Sequence, residues 1–157
     1  MEIVVISIGK ISTPWIKEGL KIYENRIGRY LKFKTIEIPD IKNPKILGIE
    51  RIKEEEGKLI LNEMSGSDIV VMMDEKGTSF SSLGFSEWIR KQMLTGKKRL
   101  LFVIGGPYGF SDNVYQHANF KIALSEMTFT HEMAKLFLTE QIYRAFTILN
   151  NEPYHHI

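Results

Sequence analysis

The chain is 157 residues long, 43% hydrophobic and 25% charged, with a formal net charge of +2 and no cysteine. This fits a single domain over residues 1–157, large enough to bury a core without staples. It excludes disulfides, thiol nucleophiles and cysteine-held metals, and so small a net charge neither demands nor forbids a nucleic-acid partner.

Residues 2–8 are rich in β-branched side chains and predict a first strand; they lack the basic region of a signal peptide. Thr13-Pro14 predicts an N-cap with proline at the first helical position, and Trp15, Ile16, Leu20, Tyr23, Ile27 and Leu31 follow at helical spacing. Alternation over 33–38 predicts a second strand, and 39–44 a loop. Ile46, Ile49, Ile52, Leu59, Ile60 and Met64 form the next helical stripe, with Glu54-Glu55-Glu56 on its wet side. Residues 68–73 are a near-continuous apolar run, the pattern of a buried parallel strand, followed by a turn over 74–80 that contains Gly77. Phe85, Trp88, Ile89 and Met93 mark a third helix from near Ser82. A fourth strand is predicted over 99–104, a short helix over 111–118 and a fifth strand over 120–125. A long amphipathic helix over 133–149 precedes a polar tail, 150–157. This alternation predicts an α/β domain, a mostly parallel sheet flanked by helices. No run approaches the roughly 20 apolar residues of a membrane span, so a cytoplasmic protein with no membrane contact is expected. The clusters Lys32/Lys34, Lys42/Lys45 and Lys97-Lys98-Arg99 read individually as solvated element ends.

The densest signal is Ile104-Gly105-Gly106-Pro107-Tyr108-Gly109, at the exit of the fourth strand. Bare glycine lets backbone approach a ligand closely, and α/β sheets hold ligands at the carboxyl ends of their strands. The loop lacks the lysine of a P-loop, and its glycine spacing does not match the dinucleotide fingerprint. From the loop alone, a tight turn and a ligand cradle stay equally open. Residues 125–132 form a second polar loop, expected to lie beside the first. Here Met127 and Phe129 offer apolar contact to an aromatic base. Thr130 caps the last helix, with Glu132 in its first turn. His131 is a weaker candidate for proton handling, since a histidine at a helix start is more often structural. Arg144 is spaced to pair with Glu140 on that helix. In the tail, Tyr154 and His155 offer a phenol and an imidazole for proton handling.

Taken together, 102–109, 124–131, 140–146 and Pro153-Tyr154-His155 resemble the RlmH family of SPOUT methyltransferases. The likeness extends to Gly9-Lys10, to Asp74-Glu75-Lys76-Gly77 and to Ser81-Ser82 with Phe85, and it covers essentially the whole chain. Met73 stands where leucine is common in that family, and Phe129-Thr130 where leucine-proline is common. The resemblance implies a SPOUT-type fold with a C-terminal trefoil knot, a homodimer, and S-adenosylmethionine as cofactor without a metal. It implies methyl transfer to N3 of a pseudouridine in the helix 69 loop of large-subunit (23S) ribosomal RNA, in the subunit or the assembled ribosome. Carried over by motif, Met73, Gly105, Leu124, Ser125, Glu126, Met127, Thr128 and Phe129 bind the cofactor, and Arg144, Tyr154 and His155 are catalytic. His155 is the favoured base and Arg144 the partner of a phosphate or uracil oxygen. Two other readings compete: a SPOUT-type enzyme acting on another RNA such as tRNA, and a non-catalytic α/β nucleotide-binding protein.

Overall fold

A computed structural model describes residues 1–42 and 44–156; Asn43 in the expected 39–44 loop and Ile157 at the end of the tail lie outside the described residues. Strand and helix alternate as β1 (Glu2–Ile8), α1 (Pro14–Ile27), β2 (Phe33–Ile38), α2 (Ile49–Glu63) and β3 (Asp68–Ser79). They continue as α3 (Ser82–Met93), β4 (Arg99–Ile104), α4 (Asp112–Gln116), β5 (Phe120–Ala123) and α5 (His131–Leu149). The five strands form one sheet in the order β2-β1-β4-β3-β5, every pairing parallel.

Side chains alternate across each strand, so the central strands need apolar residues on both faces. One face carries Ile3, Val5, Val71, Leu100 and Phe102 against Ile27 of α1, Phe85 and Ile89 of α3, and Leu138, Ile142 and Phe146 of α5. The other carries Val4, Ile6, Met72, Leu101 and Val103 against Ile60 of α2, Phe110 just before α4 and Val114 of α4. The result is three layers, with α1, α3 and α5 on one side and α2 and α4 on the other. At the amino edge Arg99 grips Asp68 with two bonds of 2.8 and 2.6 Å, tying β4 to β3. One cation of the 97–99 cluster is therefore structural.

The structure departs from the expected boundaries where local pattern meets long-range pairing. Residues 74–80 are not a plain turn. The strand bulges after Met73 and resumes, Thr78 opposite Ile122 and Ser79 opposite Ala123. Gly77 permits this, because a Cβ there would lie 2.6 Å from the Ile122 nitrogen. The second helix begins at Ile49, leaving Ile46 exposed. Helix α1 ends at Ile27, α4 and β5 are shorter than expected, and α5 starts two residues early, at His131. Thr13 makes no side-chain cap, whereas the Thr130 hydroxyl accepts from Met133 N at 3.3 Å, as the sequence suggests. The largest correction concerns Glu56, which is only 4% exposed rather than on the wet side of α2. Ile52, Glu56 and Ile60 recur at four-residue steps and share the buried face.

Candidate active site at the carboxyl edge of the sheet

Because the sheet is wholly parallel, the loops leaving all five strands gather along one edge. The loops after β2, β4 and β5, with the bulge of β3, surround a cleft of about 930 Å³. The glycine loop after β4 forms one wall and the segment after β5 another, while the bulge of β3 brings Asp74, Glu75 and Lys76 to the rim. Met73, Gly105, Leu124, Ser125, Met127, Thr128 and Phe129 line this one space. Glu126 lies between two lining residues and is exposed, and Met127 is 75% exposed. The wall is fastened where the Thr128 hydroxyl donates to Glu75 Oε2 at 2.6 Å. Burial alone would raise the Asp74 carboxyl, but a 2.5 Å bond from the Tyr115 hydroxyl and one from Lys76 N hold it below its ordinary value.

An apolar annex of about 310 Å³ opens off the cleft, sharing Met73, Leu124 and Phe129 with it and reaching Phe85, Phe137 and Gln141. The glycine loop is closely backed. A Cβ on Gly105 would lie 3.0 Å from the Phe110 ring, and one on Gly106 would lie 2.7 Å from Glu56 Oε2. Backbone alone fits between those groups and the cleft.

His131, read as structural, also lines the cleft, and its Nε2 is buried close behind Gly9 without a partner among the described residues. Its neighbour Glu132 fixes the start of α5. That carboxylate accepts from Ser12 N at 2.6 Å and Ser12 Oγ at 2.8 Å. The Ser12 backbone bond foremost, then the hydroxyls of Thr13 and Ser12, pull its pKa down to about 2.

The three residues assigned to catalysis meet at the far end of α5. Asn151, at φ 55°, turns the chain back after the helix, and Glu152 N bonds Thr147 O at 2.8 Å. The tail then folds over the seam between α1 and α5. Glu140 accepts from Arg144 Nη2 at 2.5 Å and from the Tyr154 hydroxyl at 3.0 Å. The Arg144 guanidinium lies 4.7 Å from the Tyr154 ring centroid, and Nη1 is 3.3 Å from His155 Nδ1. The expected Arg144–Glu140 pair therefore exists, but as the hub of a cluster. Tyr23 and Tyr143, which sequence reasoning did not single out, complete it: Tyr23 Oη lies 3.4 Å from Tyr154 Oη, and Tyr143 packs edge-on against Tyr154. Burial first, then the Tyr23 and Glu140 contacts, push the Tyr154 phenol well above its ordinary range. It stays protonated and serves as a donor. Guanidinium has only donors, so in this contact His155 Nδ1 is the acceptor.

A family model described as "predicted SPOUT methyltransferase" matches residues 1–155. The chain belongs to the SPOUT methyltransferase family. Proteins named "Ribosomal RNA large subunit methyltransferase H" are 54% identical in Christiangramia forsetii and 52% in Parabacteroides distasonis, each alignment covering 99% of both chains. The protein of that name from Bacteroides thetaiotaomicron is 45% identical over the same share. Among solved structures, a probable methylase family protein from Haemophilus influenzae shares the fold, with a TM-score of 0.56 at 12% identity, covering 99% of this chain and 70% of that one.

For a SPOUT methyltransferase the cleft is suited to S-adenosylmethionine. Its volume, the bare backbone at Gly105 and Gly106, and an apolar annex beside Met73, Leu124 and Phe129 are what a flat base joined to a charged chain requires.

Proposed function

We propose that this protein methylates large-subunit ribosomal RNA with S-adenosylmethionine, at N3 of a pseudouridine in the helix 69 loop, as a cytoplasmic homodimer with a C-terminal trefoil knot. The observation that carries the reading is the end-to-end match to relatives named for that RNA. The knot reading draws on the strand order. The chain leaves β4 on one side of β3, makes the glycine loop and α4, and returns as β5 on the other side.

S-adenosylmethionine supplies a methyl group that its sulfonium already makes electrophilic. The protein's task is therefore to orient N3 and take its proton. Glu75 and Thr128 hold the cleft wall, and the glycine loop admits the ligand without steric conflict. Arg144, already desolvated against Tyr154 and aimed by Glu140, meets a phosphate or the charge that develops on a uracil oxygen. Tyr154 donates. His155 takes the proton once substrate draws the guanidinium off Nδ1, which frees that lone pair.

Distance supports the dimer. His131 at the cleft and Arg144 lie on one helix about 20 Å apart along its axis. A second copy can bring its own tail to this cleft. The outer faces of α1 and α5 suit such contact: Trp15 is 59% exposed, Ile22 44% and Phe137 41%.

Radiolabelled methyl transfer, followed by mass mapping, tests the substrate. Large subunits and ribosomes from cells lacking this activity are expected to accept one methyl on a single pseudouridine. Transfer to tRNA in preference to these particles would overturn the reading.

A further inference from the structure

Glu56 is a side chain the proposed mechanism leaves unexplained. It is 4% exposed, and its Oε2 is buried with no hydrogen-bond partner among the described residues. A carboxyl costs free energy in such a place unless something compensates it. Ile52 and Ile60 fill the adjacent positions of the same helix face with hydrocarbon. At Glu56, however, the carboxyl is pressed on Gly106, a residue that lines the cleft. Both its oxygens lie within 2.9 Å of the place a Cβ would occupy. Tight packing fixes it there, since a Cβ on the next residue, Gly57, would meet Ser111 Oγ at 2.5 Å. Asp40, from the loop after β2, lines the same cleft.

Resting on the cofactor reading above, we propose that Glu56, seconded by Asp40, is the counter-charge that makes the cleft prefer the cationic sulfonium cofactor to its uncharged thioether product. Glu56 acts through the bare Gly106 backbone and is a specificity-determining residue. Loss of the methyl group removes one positive charge from the ligand, and with it the attraction, so the spent cofactor leaves more readily. The long-range character of Coulomb attraction in a partly water-excluded site lets a carboxylate behind one layer of backbone discriminate in this way.

The surroundings set how the effect varies with pH. Burial and then the Asp40 charge raise the Glu56 carboxyl to about 7. Lys53, one turn earlier on α2, is engaged by Glu50 at 3.4 Å. The glycine loop carries Tyr108, α4 carries exposed Asp112, and His131 stands beyond Asp40 at Gly9. A cationic ligand favours ionised Glu56. By linkage, its binding releases protons near neutral pH and tightens as pH rises.

The test is isothermal titration of the intact protein with S-adenosylmethionine and with S-adenosylhomocysteine, in buffers of differing ionisation enthalpy from about pH 6 to 8.5. Glu56→Gln is expected to lower the affinity ratio of the two ligands about tenfold, mainly by weakening the sulfonium ligand. It is also expected to remove the part of proton release that exceeds the ligand's own amino titration. Asp40→Asn keeps Glu56 but relieves the repulsion, so the midpoint of the pH dependence moves down. An unchanged ratio and unchanged proton release in Glu56→Gln, or an unmoved midpoint in Asp40→Asn, overturns the proposal while leaving cofactor binding intact. Failure of the wild-type protein to bind either ligand overturns the cofactor reading and this inference with it.

Discussion

Removing the Glu56 charge changes how the stability of the ligand-free protein depends on pH. The folded carboxyl titrates at about 7 against an ordinary 4.5, because burial and Asp40 disfavour its ionised form. A group that holds its proton more tightly when folded adds stability that is complete below the unfolded value. That stability is lost as pH rises through the folded one. Integrating between about pH 5.5 and pH 8.5, the loss from this one group comes to about 2 kcal/mol. Any water reaching the carboxyl through the cleft lowers that figure, so it is a ceiling. Glu56→Gln keeps the volume and hydrogen-bonding capacity without the titration, and its stability is expected to stay flatter over the same window. For a domain of this size the difference corresponds to a relative shift in Tm of about 4–8 °C across the range. Urea or thermal denaturation of both proteins at several pH values measures it. Parallel pH profiles for wild type and Glu56→Gln would refute the reasoning, because they would mean that the carboxyl is ionised in both folded and unfolded chains.

Other sites give sharp expectations. Gly77→Ala places a Cβ 2.6 Å from the Ile122 backbone, and is expected to cost about 1–3 kcal/mol in denaturant unfolding and to loosen the β3–β5 pairing; wild-type stability would show that the bulge yields without strain. His155→Ala and Tyr154→Phe, assayed in single turnover at saturating cofactor, are expected to slow methyl transfer about a hundredfold or more and about tenfold respectively. Cofactor affinity is expected to change less than about twofold, since neither residue lines the cleft. Wild-type transfer in both would remove the tail from catalysis. Trp15→Glu sets a charge on the exposed apolar face of α1 and is expected to yield monomer by light scattering; a dimer of unchanged stability would place the interface elsewhere.

What the sequence reveals here tracks the range of the interactions involved. Strand identity and order of elements follow from local apolar runs, and the glycine loop announces itself by composition. The return of β3 after its bulge was hidden because Asp74-Glu75-Lys76-Gly77 has the chemistry of a turn. Only the pairing of Thr78 and Ser79 with β5 makes it strand. Glu56 was hidden differently: the four-residue recurrence of Ile52, Glu56 and Ile60 contained the signal, but two neighbouring glutamates masked it. The clamp of Glu132 on Ser12 and the contact of Tyr154 with Tyr23 join residues more than a hundred positions apart. No local pattern encodes such pairings. The loop residues were found through motif resemblance, which carries long-range information that periodicity lacks.

Helix α5 is what connects these parts. Its first turn is tied to the loop after β1 through Glu132, and its second to β2 through Lys135, 1% exposed, which donates to Glu37 at 3.0 Å. Its middle is tied to α3, where the Ser82 hydroxyl donates to Gln141 at 2.9 Å. Gln141 in turn donates to Glu140 at 2.8 Å, and Glu140 holds both Arg144 and Tyr154. A chain of packed and hydrogen-bonded groups therefore runs from the apolar annex to the tail cluster within the chain. The helix begins among the cleft residues and ends at the residues assigned to chemistry. Its three anchors fix the offset between the two. In a dimer with a two-fold axis, the same offset places each tail relative to the partner's cleft. Precision of transfer then depends on how α5 is packed as much as on the groups at either end.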